Sequence, residues 1–238
     1  MTTARVREEW RARIAAEYTS AAITQHLVLW LIQVGAPPDL IDDGLVIVGD
    51  ELVHSRLSHE VFVAAGGTGA PALDRTQLGL PRTHPLLEHD VLDIAVRVFC
   101  LGETVAVPLF SHLRERCTEP VAKVALDRIL VDEVRHREFG WDLLDWLLTT
   151  PIGDDVPARL AAALPGMMAG LERSYGTANE VVADDDGAMT DAERAWGLAP
   201  PREYAAILAR TLERDYRPRF DARGIELPVA GSSPTLTS

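Results

Sequence analysis

Lysine is almost missing from this chain. Of 238 residues only Lys123 is a lysine, and the 22 arginines bring the basic total to 23 against 36 acidic side chains, a formal net charge of −13. A nucleic-acid binder concentrates basic groups to displace counterions from phosphates, so this balance argues against a nucleic-acid partner. Aromatic residues are scarce at 6%, and the composition leans toward helix and away from sheet. Cysteine is limited to Cys100 and Cys117. On one predicted helix they stand about 25 Å apart in rise, too far to bridge, so structural disulfides are not expected. Long apolar runs are absent too: the longest, residues 21–34, is broken by Thr24, Gln25, His26 and Gln33, and none approaches the ~18 residues of a membrane span. The first ten residues are charged and hold no apolar signal region. The expectation is a cytoplasmic protein with no membrane partner.

What the chain does have is helical periodicity over long stretches, with 47% apolar residues to build a core. Residues 5–34 repeat apolar side chains at helical spacing and stop at Gly35-Ala36-Pro37-Pro38-Asp39, a breaker followed by a helix start. A second helix spans 38–65 and ends in Gly66-Gly67-Thr68-Gly69-Ala70-Pro71. The stretch from there to Pro85 reads as a loop of about 20 residues, long enough to need a reason inside a compact domain. Helices three and four cover 86–117 and 120–148, and Pro151-Ile152-Gly153 ends the fourth. A shorter helix at 156–175, an acidic stretch at Asp184-Asp185-Asp186 and an amphipathic helix at 201–223 follow. The expected organisation is a four-helix bundle over 1–150, a helical extension over 151–228 packed on it, and a disordered tail at 229–238.

Two helices carry the same chemical pattern. Glu51-Leu52-Val53-His54 and Glu133-Val134-Arg135-His136 are Glu-x-x-His pairs, whose spacing puts a carboxylate and an imidazole on one helix face. Helix bundles complete such a pair of half-sites with one lone glutamate from each remaining helix. That glutamate must stand level with the pair across its hairpin, so the midpoint between them must fall at a turn. For Glu17 and the Glu51/His54 pair the midpoint lands on Gly35, whereas Glu9 would put a turn inside an apolar helical run. For Glu103 and the Glu133/His136 pair it falls between Thr118 and Pro120, whereas Glu115 and Glu88 place it within helix. One Glu-x-x-His arises easily by chance on a solvated face. Two pairs with two level glutamates would repel and suffer desolvation in a core unless cations joined them. The long loop then carries the chain back along the bundle, since twenty extended residues reach more than about 60 Å.

Through Glu17, Asp50-Glu51-Leu52-Val53-His54, Gly102-Glu103-Thr104 and Asp132-Glu133-Val134-Arg135-His136, residues 5–150 resemble the ferritin-like di-iron carboxylate superfamily. The resemblance implies an all-α fold, a ferritin-like four-helix bundle with its long crossover between helices two and three. It implies that Glu51 and Glu133 bridge or chelate two iron ions, with manganese as the alternative, that Glu17 and Glu103 are terminal or shifting ligands, and that His54 and His136 each cap one metal. It further implies that Asp50 orients His136 and Asp132 orients His54. Arg135 either neutralises the acidic cluster or faces solvent. No member of the superfamily fits in every motif: the third histidine of arylamine N-oxygenases is Ile129 here, and the threonine of hydroxylase subunits is Val107. The rubrerythrin Cys-x-x-Cys pairs are missing.

Carboxylate and imidazole ligands suit iron or manganese, and two ferrous ions can deliver electrons to O2 together. The expected activity is that of a non-haem di-iron oxidase or monooxygenase acting on a small organic substrate, with O2 as co-substrate and electrons from an external donor. A ferroxidase or metal-binding protein without organic substrate, and a manganese catalase, are the alternatives; a homodimer is a further expectation, and the extension could cover the bundle, make a dimer interface, or contact a carrier or reductase. Pro108 within helix three frees the carbonyl of Thr104, and either opens a cavity by a local bulge or is a tolerated kink. Small residues (Ser20, Ala21, Thr24, Ala106, Gly140) and bulky ones (Phe99, Phe110, Trp141) on these faces are candidates for a pocket or for core packing. His26, His59, His84, His89 and His112 have no ligand partner at matching height.

Overall fold

The computed structural model describes residues 3–69, 71–175 and 189–227; the Asp184-Asp185-Asp186 stretch and the predicted tail at 229–238 lie outside the described residues. Among the described residues there are helices and loops and no strand. Helix α1 is Ala4–Gln33, α2 is Pro38–Ala64, α3 is Leu87–Arg116, and α4 is Pro120–Leu148. Helix α5 is Val156–Ser174, α6 is Asp191–Ala195, and α7 covers 201–221. Each boundary has a local cause. Thr3 accepts the Val6 N–H at the start of α1. Gly35 takes φ +72° just beyond the end of α1, a conformation side chains with a Cβ avoid. Pro38 and Pro120 open α2 and α4, where a missing N–H costs nothing.

Helices α1 and α2 pack as one hairpin, α3 and α4 as another, and α2 lies against α4. Leu27, Leu31, Ile47, Phe99, Leu126, Ile129 and Trp141 on these four helices are fully buried. By length and composition α3 is apolar enough to cross a membrane, a property that a search for uninterrupted apolar runs misses. More than half of its most apolar window is buried inside the protein, where it serves as a core helix.

Helix α3 is a single element with three parts: α-helix over Leu87–Ile94, π-helix over Ala95–Glu103, and α-helix again over Thr104–Arg116. The irregularity expected around Pro108 therefore lies upstream of it. A π turn holds more residues than an α turn and is usually found at functional sites. Here it is met by a second π segment, Leu212–Tyr216 in α7, whose Tyr216 hydroxyl donates to the Leu101 carbonyl at 2.5 Å.

The crossover between α2 and α3 is anchored at two points. The Leu80 N–H donates to His26 Nδ1 at 3.0 Å. Asp90, 2% exposed, accepts the Thr83 N–H and hydroxyl, both at 2.7 Å, the His84 N–H at 3.2 Å and Arg82 Nε at 2.8 Å. Burial alone would raise the Asp90 carboxyl, but the hydrogen bonds from Thr83, Arg82 and His84 outweigh it and hold the group at about 2. A depressed acid contributes stability above its unfolded value, and that stability is lost as pH falls toward the folded value. Asp90→Asn is therefore expected to cost about 1–2 kcal/mol at pH 7. In thermal melts the gap from the parent chain should narrow between pH 4 and about 2. Equal melting of the two chains at pH 7 would contradict the anchoring role.

The segment after α5 returns to the first four helices. Trp10 Nε1 and Arg13 Nη2 donate to the Trp196 and Gly197 carbonyls at 3.0 and 3.2 Å. The Ala195 carbonyl accepts both the Thr118 and the Glu119 N–H at the α3–α4 turn. Helix α6, passed over in the sequence reading, opens with a reciprocal cap between Thr190 and Glu193. Its signal, a threonine followed three residues later by glutamate, was present in the sequence but belongs to a helix only five residues long.

Candidate metal centre

Helix α1 supplies Glu17, α2 supplies Glu51 and His54, α3 supplies Glu103 at the last position of its π segment, and α4 supplies Glu133 and His136. All six are buried, none more than 9% exposed. The structure brings them into two groups, Glu17 with His54 and Glu133, and Glu51 with Glu103 and His136, and within each group the potential ligand atoms lie within 4.8 Å of one another. Glu51 and Glu133 stand between the two imidazoles. His54 Nδ1 is 3.5 Å from Glu51 and 3.8 Å from Glu133, while His136 Nδ1 is 3.6 and 3.7 Å from the same two carboxylates. Glu17 approaches His54 Nδ1 at 3.9 Å.

Both imidazoles are held from behind. His54 Nε2 lies 3.0 Å from Asp132, and His136 Nε2 lies 3.4 Å from Asp50. A carboxylate can only accept, so Nε2 carries the proton and the Nδ1 lone pair faces the glutamates. The aspartates are themselves fixed by Arg135 and Arg128, each of which contacts both Asp50 and Asp132. Arg135 thus turns to the acidic cluster and stays partly solvated. Arg128 was not anticipated, although its position four residues before Asp132 and seven before Arg135 places all three on one helix face. Burial would raise Asp132, but its bonds from Arg128 and His54 hold it below the ordinary aspartate range.

The carboxylates between the imidazoles are under electrostatic strain. Burial first, and then the neighbouring carboxylates, push Glu17 and Glu103 well above the usual glutamate range. Burial pushes Glu133 up to about 8 against a hydrogen bond with Glu103 that lowers it. Burial acts the same way on Glu51, yet the adjacent His54 and His136 hold it low. Ser20 donates to Glu51 at 2.7 Å. Four buried atoms nevertheless have no hydrogen-bond partner: Glu51 Oε2, Glu133 Oε2, His54 Nδ1 and His136 Nδ1. Unpaired buried polar atoms are costly, and these four converge on the same space. Oxygen and imidazole donors at such distances fit divalent first-row cations.

A cavity of about 1130 Å³ borders the cluster and is touched by Glu17, Glu51, Glu103 and Glu133. Ala16, Ala106, Leu109 and Phe110 wall it near the carboxylates, and Met167, Leu171, Tyr175 and Tyr204 close it from the later helices. Of the anticipated pocket residues, Ala106, Phe110 and Ser20 line it; Ala21, Thr24, Phe99, Gly140 and Trp141 do not. Ala12, Arg13, Ala16, Glu17 and Ser20 line it from α1, whereas Ala21 and Thr24, on the Glu17 face but one and two turns further along, are buried and do not. Phe99 packs edge-on against Phe139, with ring centroids 4.9 Å apart, and Gly140 lets the α4 backbone approach it. Trp141 donates to the Thr104 hydroxyl at 3.0 Å and packs on Phe220. The remaining histidines that have partners find them elsewhere: His26 with Leu80, His84 with Asp93, and His112 with Glu203.

Tyr175 and Tyr204 were missed as site residues because they belong to the extension, whose relation to the bundle no spacing rule reveals. Burial raises the Tyr175 hydroxyl pKa, and the negative charge of Glu103, Glu133 and Glu17 adds to the rise. It therefore stays protonated at neutral pH. Fold and site together define an all-helical protein with a buried carboxylate–imidazole cluster beside a cavity. Comparison of the chain with family models, curated proteins and solved structures gave no match.

Proposed function

We propose that this chain is a dimetal enzyme of the ferritin-like kind, using O2 to oxidise a small organic molecule held in the cavity. The observation that carries the reading is the convergence of four partnerless buried ligand atoms from two Glu-x-x-His pairs, of which the two glutamates line a cavity. The α1–α2 hairpin, the anchored crossover and the α3–α4 hairpin are compatible with a ferritin-like bundle with one long crossover. Glu51 and Glu133, between the imidazoles, would be shared by two metals; Glu17 with His54, and Glu103 with His136, would complete one metal each. When bound, two ferrous ions supply the electrons that reduce O2, replenished by an external donor.

The chain's own groups do the remainder. Asp50 and Asp132, beside Nε2 of His136 and His54, orient each imidazole so that its Nδ1 turns to the glutamates. Glu17, Glu103 and Glu133 retain protons in the metal-free protein and must lose them to become ligands. The Tyr175 hydroxyl, protonated beside the same carboxylates, offers a hydrogen bond to whatever occupies the cavity. Apolar walls from α3 and α5 limit the access of water to the reacting end.

Anaerobic ferrous titration of the full chain is expected to reach about two ions per chain. Because the carboxyls give up protons on loading, uptake should release protons and apparent affinity should fall as pH drops below about 8. Exposure of the loaded protein to O2, followed by stopped-flow spectroscopy with candidate substrates, then tests the oxidase reading. Saturation well below two ions per chain, or pH-independent affinity, would defeat the dimetal site. Ferrous oxidation that no organic molecule ever accelerates would leave a ferroxidase instead.

A further inference from the structure

We propose that the substrate is an amphipathic acid, with an apolar body lying along the cavity and an anionic end captured at its mouth by Arg97 and Arg173. The inference rests on the function proposed above only for the fate of the apolar end; the binding site stands on separate observations.

The first is the bookkeeping of charge around the cavity. Every acidic side chain lining it outside the metal cluster is already engaged: Glu9 with Arg13 at 3.1 Å, Asp90 with Arg82 and Thr83, and Asp93 with His84 at 2.7 Å. Arg13 is likewise committed, to Glu9 and the Gly197 carbonyl. Arg97 and Arg173 line the same cavity, are exposed, and make no hydrogen bond or ion pair among the described residues. Among the described residues, the cavity outside the metal cluster is thus left with two uncommitted guanidinium groups and no uncommitted carboxylate, the converse of the chain's overall charge. Guanidinium groups bind carboxylate and phosphate through paired, charge-assisted hydrogen bonds.

The second is open space in the right place. On α5 a Cβ built at Gly166 meets nothing within 4 Å, and one built at Gly170 meets only Arg173 Nη2 at 3.7 Å. The absence of side chains at these two positions keeps the wall beneath Arg173 clear. Arg97 precedes Glu103 on α3 by six residues, both within the π segment. A ligand anchored by its acid group would therefore lay its apolar part toward the carboxylate cluster, past Ala106 and Phe110.

Isothermal titration of the metal-free full chain with decanoate, decanol and decyltrimethylammonium tests this. Decanoate is expected to bind most tightly. The double variant Arg97→Ala/Arg173→Ala should weaken decanoate at least about tenfold while leaving decanol within about twofold. Should that chain fail to fold, Arg97→Gln/Arg173→Gln carries the same expectation with length and polarity kept. Gly166→Phe should weaken both decanoate and decanol by filling the cavity. Equal binding of decanoate and decanol, an equal loss of both on removing the arginines, or indifference of both to Gly166→Phe would overturn the proposal. Since no metal is used, these outcomes are independent of ferrous stoichiometry: either reading can fail while the other stands.

Discussion

Glu133→Gln is expected to make the metal-free protein more stable and to weaken its hold on metal severely. In the metal-free chain burial holds Glu133 protonated up to about pH 8, whereas an unfolded glutamate ionises near its ordinary value of about 4.3. A folded state that keeps a proton the unfolded state releases loses stability as pH rises between those two values. Glutamine removes that linkage and keeps the shape. At pH 7.5 the gain should be on the order of 4 kcal/mol, raising the thermal midpoint by about 8–16 °C for a chain of this size. At pH 4 and below the gain should vanish, because the parent carboxyl is then protonated in both states. On the metal side the change removes a carboxylate shared by both proposed metals, and ferrous affinity should drop by at least about a hundredfold. Melts at two pH values, with and without ferrous ion, read both effects. A variant that still loads two ions with unchanged affinity would refute the ligand role, and an unchanged metal-free midpoint at pH 7.5 would refute the electrostatic one.

The second large effect concerns packing. Gly140 sits where α4 crosses the π segment of α3, and a Cβ there would lie 2.5 Å from the Phe99 Cβ, 2.8 Å from the Phe99 carbonyl carbon and 2.9 Å from the Cys100 nitrogen. Two of those neighbours are backbone, so no rotamer change relieves the clash. Gly140→Ala must push the helices apart, disturbing the Phe99–Phe139 ring pair and the Cys100 Sγ contact with the Gly140 carbonyl. Overpacking of this kind costs about 2–3 kcal/mol, a fall of about 4–12 °C in thermal midpoint. Gly166→Ala is the matched control: its Cβ meets nothing within 4 Å, and it should be neutral or slightly stabilising. Equal melting of the two variants would show that the crossing tolerates a methyl group.

These two glycines show where sequence reasoning reaches its limit. Both read as small residues in helices, and nothing local separates one pressed against a backbone from one facing open space. Long helices were legible because prolines at Pro38 and Pro120 and the glycine at Gly35 mark their ends chemically. The approach of Glu17 and Glu103 to the two pairs was legible because a hairpin obeys a midpoint rule. Phe99 was not, because α-helical spacing was carried through Ala95–Glu103, where each residue advances the face by less than in an α-helix. Arg128, Tyr175 and Tyr204 escaped for a related reason. Their importance comes from tertiary neighbours, the two aspartates for one and the cavity for the others.

The π segment also sets a rule about length. Because its turns hold more residues than α turns, Ala95–Glu103 stores an excess of chain relative to a continuous α-helix. Deleting one residue there would let the helix revert to regular hydrogen bonding at little cost to the backbone itself. Yet it would also change the twist between the two halves of α3, because the turn per residue differs between π and α segments. Asp90, fixed to the crossover, and Glu103, turned toward Glu133, could then no longer both keep their places. In this chain a one-residue change in spacing between positions 90 and 103 is therefore more disruptive than many changes of residue identity. Descendants of the sequence can vary freely along that stretch only if they conserve its count.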